Sequence, residues 1–110
     1  MIRFLDHTAD TTFIVQEQSL DNTFNQCAHA LKQICTSQTV AAHQKQTLKL
    51  QAKNQEHLLF DFLSELIVLL EQGFIWNSVE VNVNGNALSA KLWGDTTHHY
   101  DIHRHIKAIT

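Results

Sequence analysis

The stretch "VEVNVNGNALSAKL", Val79 to Leu92, decides the fold. Val79, Val81 and Val83 alternate with Glu80, Asn82 and Asn84, which is the period-two pattern of a strand with one buried face. Asn84-Gly85 then supplies the two-residue turn in which both central residues tolerate positive φ. Leu88, Ala90 and Leu92 resume the alternation on the way back, so the stretch predicts an antiparallel hairpin whose return strand runs to Trp93.

Upstream, Phe74 and Trp76 lead into the hairpin from a helix. Leu58, Leu59, Phe62, Leu63, Leu66, Ile67, Leu69 and Leu70 recur at spacings of three and four. Asn54 is placed to cap this helix at its start, and Gly73 to end it. Before it, Leu48, Leu50 and Ala52 alternate with Thr47, Lys49 and Gln51 as a half-buried strand does. A first helix is carried by Leu20, Phe24, Cys27, Ala28, Leu31, Ile34 and Cys35, with Ser19 or Asp21 as its cap. Ile2 to Leu5 and Thr12 to Val15 read as two short strands around the chain's first bend, and "IKAIT" (Ile106 to Thr110) reads as a last one. The order is strand, strand, helix, strand, helix, strand, strand, strand. Both helical stripes are buried if the helices lie on one face of a mainly antiparallel or mixed sheet, giving an α+β two-layer sandwich.

Composition bounds what such a fold can do. The 110 residues, 44% of them apolar, make a single domain, 1–110, with enough apolar surface for one closed core. No apolar run reaches the roughly 18 residues of a membrane helix, and no signal-peptide pattern opens the chain, so a soluble cytoplasmic protein is expected. A net charge of −3 has the wrong sign for a protein that grips phosphate backbones unaided. Cys27 and Cys35 lie eight residues apart on one helix, about 12 Å of rise. A disulfide needs Cα atoms within about 7 Å, so both are expected as buried free thiols.

Polar chemistry is concentrated in three places. "LDHTADTTF", Leu5 to Phe13, puts Asp6, His7, Thr8 and Asp10 into one corner between strands. Such a carboxylate can take a hard cation, which binds through oxygen; equally, Thr8 and Asp10 can shape the turn by bonding nearby backbone N–H groups. His57, Asp61 and Glu65 share one face of the second helix, either as a metal line or as its solvated side. "GDTTHHYDIHRH" carries Asp95, Asp101, His98, His99, His103 and His105. In extended form it would turn His99, Asp101, His103 and His105 the same way, a set suited to zinc or nickel. The other reading is a flexible loop that protonates near neutral pH. No GxSxG serine, paired catalytic cysteine or glycine-rich phosphate loop is present.

Three motifs in order resemble the archease family: "HTAD" (His7 to Asp10) after the first strand, "EHLLFDFLSELIVLLE" (Glu56 to Glu71) as the second helix, and "IKAIT" in the last strand. "LDNTFNQCAHAL" also stands where the family's first helix is expected. The resemblance spans Ile2 to Thr110. It implies an accessory protein, without catalysis of its own, for the GTP-dependent RNA ligase that joins a 2′,3′-cyclic phosphate or 3′-phosphate end to a 5′-hydroxyl in tRNA splicing and RNA repair. In that relationship the ligase works through a guanylylated histidine, and archease promotes guanylylation and repeated turnover, meeting RNA only indirectly. An acidic balance suits a helper that approaches a basic, metal-loaded partner.

By the same resemblance Asp10 matches the family's metal-binding aspartate, implying Ca²⁺, Mn²⁺ or Mg²⁺ held there with His7 and Thr8 ordering the corner. Lys107 matches the lysine of the family's KAVT strand. The family pattern continues through a further hairpin to a second metal-binding aspartate, whereas this sequence ends at Thr110. Three expectations follow: a chain shortened or incompletely represented, weaker metal binding, or a replacement ligand such as Asp95 or Asp101. Two other functions stay open beside the activator. One is a metal-dependent hydrolase or nuclease using Asp10 and the His98–His105 segment; the other is a structural or chaperone-like module with incidental histidines.

Overall fold

A computed structural model describes residues 2–6, 11–15 and 19–102, the first two stretches by their backbone. The elements are β1 (Ile2–Asp6), β2 (Thr11–Val15), α1 (Leu20–Cys35), β3 (Gln44–Gln51), α2 (Gln55–Glu71), β4 (Phe74–Asn84), β5 (Ala87–Thr96) and a short 3₁₀ turn over Thr97–His99. β1 and β2 pair antiparallel, from Ile2 opposite Val15 to Asp6 opposite Thr11. A second, three-stranded sheet has the order β3-β5-β4, antiparallel throughout. The strand expected at Ile106 to Thr110 lies outside the described residues.

Both helices begin as their caps dictate. Ser19 accepts from the Asn22 N–H at 3.1 Å and the Asn54 Oδ1 from the His57 N–H at 2.8 Å, each satisfying a donor that the first turn leaves unpaired. α2 ends at Glu71, and Gly73 follows with φ +96°, a left-handed conformation that a side chain would strain.

One face of the three-stranded sheet carries Val79, Val81, Leu88, Ala90 and Leu92, and these pack with Phe24, Ala28 and Leu31 of α1 and Leu58, Phe62 and Leu66 of α2 into the larger core. Two helices therefore cover one side of an antiparallel sheet, as the periodicity requires. Asp21 adds a polar tie between the layers, its Oδ1 accepting from the Val83 N–H at 2.8 Å.

β4 and β5 are both longer than the alternation suggests. A bulge at Asn77 shifts the register, so that Trp76 faces Gly94 while Ser78 faces Trp93. Pairing continues past the bulge to Phe74 opposite Thr96. There the backbones come so close that a Cβ on Gly94 would lie 2.0 Å from the Ile75 carbonyl oxygen. Bulges bend a strand and re-aim its side chains. Trp76 is turned fully inward, where its Nε1–H donates to the Ala28 carbonyl at 2.9 Å. Asn77, the extra residue, donates from its amide to the Val40 carbonyl.

Candidate functional site

The corner singled out in the sequence is bounded by a fixed pair. Asp6 and Thr11 stand opposite each other at the end of the β1–β2 ladder, and His7, Thr8 and Asp10 lie between them in sequence, outside the described residues. Lys107, His103 and His105 also lie outside them.

Asp95 and Asp101 are described, and the structure separates their situations. Gly94 and Asp95 belong to the extended part of β5, where Asp95 pairs in register with Ile75. Its side chain is buried, 5% exposed. Oδ1 accepts from the Thr96 N–H at 2.8 Å. Oδ2 accepts from the Tyr100 hydroxyl at 2.9 Å and faces His99 Nδ1 at 3.0 Å. The bond to His99, with those from Thr96 and Tyr100, outweighs the loss of solvation and holds the Asp95 carboxyl down at about 2, against an ordinary 3.8. Asp101 is exposed, and its N–H donates to the Gln38 side chain.

The histidine segment is thus folded rather than extended as far as it is described. The 3₁₀ turn of Thr97–His99 wraps back over the end of β5, anchored by the Thr97 N–H on the Gly73 carbonyl at 2.8 Å. Tyr100 extends the network by accepting from the Ala41 N–H at 2.8 Å. Tyr100 and Ile102 also pack on a small second core of Cys35, Val40 and Ile75. This places His99 and Asp101 in different local environments, so they do not line one face of a strand. His99 keeps a side chain that is 63% exposed, and an ionised Asp95 can only accept, which fixes the Nδ1 proton and leaves Nε2 out of the pair.

The sequence marks Asp95 as a candidate ligand, and the structure gives it this network of the chain's own donors. The spacing Asp95, His99, Tyr100 was the available signal, because one turn after a strand end brings positions four and five back over the first. On α2, His57 is exposed while Asp61 and Glu65 are partly buried. Among the described residues no group of three or more His, Cys, Asp or Glu side chains is arranged to hold a metal ion. Asp10, the aspartate of HTAD, lies outside those residues.

Two helices on an antiparallel sheet, with a carboxylate-anchored turn closing the end of the longest hairpin, define a small α+β domain. The chain belongs to the Archease protein family (MTH1598/TM1083), which it matches over residues 3–110. Its fold is similar to the solution structure of Methanobacterium thermoautotrophicum protein 1598, with a TM-score of 0.81 and 22% identity, covering 99% of this chain and 83% of that one. No curated protein sequence matches the chain. Membership supports a role as an RNA-ligase-associated accessory protein. Among the described residues no helix is long and apolar enough to cross a membrane.

Proposed function

We propose that this chain activates a GTP-dependent RNA ligase of the kind that joins 2′,3′-cyclic phosphate or 3′-phosphate ends to 5′-hydroxyls, promoting guanylylation of the ligase and its repeated turnover in the cytoplasm. The observation that carries this reading is the family match across residues 3–110, which takes in HTAD, both helices and IKAIT. In this reading Asp10 holds a divalent cation, Ca²⁺, Mn²⁺ or Mg²⁺, through its carboxylate, with His7 and Thr8 ordering the corner beside the end of the β1–β2 ladder. A divalent cation supplies charge compensation for the phosphates of GTP during nucleotidyl transfer.

The rest of the chain supports this as a scaffold. The helices and sheet bury the apolar stripes behind the hairpin, and Asp95 has each oxygen bonded to the chain's own donors. In this reading Asp95 holds the Thr97–His99 turn and Tyr100 against the end of β5. The test is transfer of α-labelled GTP to the ligase in the presence and absence of this protein. Faster labelling with the native chain and none of that gain with Asp10→Ala supports the reading; equal labelling in all three reactions overturns it.

A further inference from the structure

The net charge of −3 hides a segregation of charge between the two layers. α2 carries Glu56, Asp61, Glu65 and Glu71 with no lysine or arginine. The sheet's other face, turned away from the helices, carries Lys45 and Lys49 from β3 and Lys91 from β5, all exposed, against Glu80 alone. The acidic total argues against nucleic-acid binding by the chain as a whole, but it does not describe this face, which is locally basic.

The register gathers these residues. Lys45 stands opposite Trp93, Thr47 opposite Lys91, and Lys49 opposite Ser89; on the other side Glu80 stands opposite Lys91 and Asn82 opposite Ser89, so of the three lysines Lys91 alone faces a carboxylate across the ladder. Residues paired in this way share a face and lie about 5 Å apart across strands. The Lys45 ammonium sits 5.8 Å from the centre of the partly exposed Trp93 ring. Toward the hairpin end the face hollows into a shallow trough of about 450 Å³, lined by Lys49, Gln51, Asn82, Asn84 and Ser89 among others. Lysines, an aromatic ring and side-chain amides and hydroxyls thus occur on one open, three-stranded surface.

We propose that this outer face of β3-β5-β4 binds single-stranded RNA, with Lys45, Lys49 and Lys91 on phosphates, Trp93 against a base, and the trough amides and Ser89 on ribose hydroxyls and base edges. Single-strand binding surfaces combine a cationic track with an aromatic platform, and a β-sheet face is a recurrent way to present both. A protein partner fits the chemistry less well, since protein interfaces are depleted in lysine and built around apolar anchors. The exposed large apolar side chains among the described residues, Phe60 and Val68, belong to α2 in the other layer. The inference goes beyond ligase activation and is tested without the ligase, so that one can fail while the other stands.

The chain has two tryptophans, and Trp76 is 0% exposed, so quenching by added RNA reports Trp93. The full chain is titrated with a single-stranded RNA of about 12 nucleotides, within the range such surfaces occupy. Saturable quenching is expected. With three lysines on phosphates the association constant falls with about the second power of salt, close to twentyfold between about 50 and 200 mM. The Lys45→Glu/Lys49→Glu/Lys91→Glu variant, checked for native circular dichroism, loses binding at least about tenfold, and the corresponding glutamine variant loses less. Trp93→Phe retains binding by anisotropy of labelled RNA while the quench disappears. Absence of quenching, no salt dependence, or parental affinity in the glutamate variant overturns the proposal. Equal affinity for DNA of the same sequence overturns the assignment to RNA.

Discussion

His99 Nδ1 lies 3.0 Å from Asp95 Oδ2, and the Tyr100 hydroxyl reaches the same oxygen at 2.9 Å. Two consecutive side chains on the turn after β5 thus converge on one carboxylate at its end. The contact fastens the Thr97–His99 turn and Tyr100 to the end of the sheet.

Because this carboxyl is held down at about 2 in the folded chain, against 3.8 ordinarily, its contribution to stability is pH-dependent. A depressed folded value means that the stabilisation is present above about pH 4 and is lost as pH falls toward 2. Urea midpoints measured across that interval should drop for the native chain and drop less steeply for Asp95→Asn. Parallel curves would show that Asp95 does not carry the dependence.

Gly94 is set by space and Gly85 by backbone conformation. A methyl on Gly94 meets the Ile75 carbonyl oxygen at 2.0 Å, whereas one on Gly85, at φ +62°, meets nothing within 4 Å. Gly94→Ala should cost at least about 3 kcal/mol or prevent folding, because neighbouring backbone must move. Gly85→Ala should cost about 1 kcal/mol from the left-handed conformation alone. Denaturant unfolding of the two variants would reveal a reversed or equal order if the bulge pairing were otherwise.

The Trp76 indole joins the sheet to α1 through its 2.9 Å bond to the Ala28 carbonyl. Trp76→Phe keeps an aromatic ring in the core but loses this bond and some packing, for an expected loss of about 1–3 kcal/mol. Trp76→Ala should lose about 3–5 kcal/mol. Chemical denaturation gives both, and a neutral Trp76→Phe would mean that the bond adds nothing.

Cys27 and Cys35 are both buried and free, and burial pushes each thiol up to about 11 from 9.0. The thiolate is the reactive form, so its fraction at neutral pH falls about a hundredfold before access is considered. Both should react with an aromatic disulfide reagent far more slowly in the native protein than in denaturant. Rapid native labelling of either would contradict the packing of α1.

Most of the fold was legible because its signals are local. Asn54 marks the start of α2, Ser19 or Asp21 that of α1, and Asn84-Gly85 marks the hairpin. The far ends of β4 and β5 were not legible, since Gly94, Asp95 and Thr96 do not read as strand. They pair beyond the Asn77 bulge, where the register is shifted, and a bulge has no periodic signature. The same extension hid the site: Asp95 read as a loop carboxylate until pairing placed it under His99 and Tyr100. The open basic face was hidden for a different reason, since net charge averages two layers that the fold separates.

The central claim is that the chain activates an RNA ligase through Asp10. The most direct measurement is multiple-turnover ligation with sub-stoichiometric ligase, GTP and Mn²⁺, run with no addition, with this protein, and with Asp10→Ala. The account predicts more than one ligation per ligase molecule with the native chain and loss of that gain in the folded variant. No stimulation by the folded native chain, or full stimulation by Asp10→Ala, would contradict it.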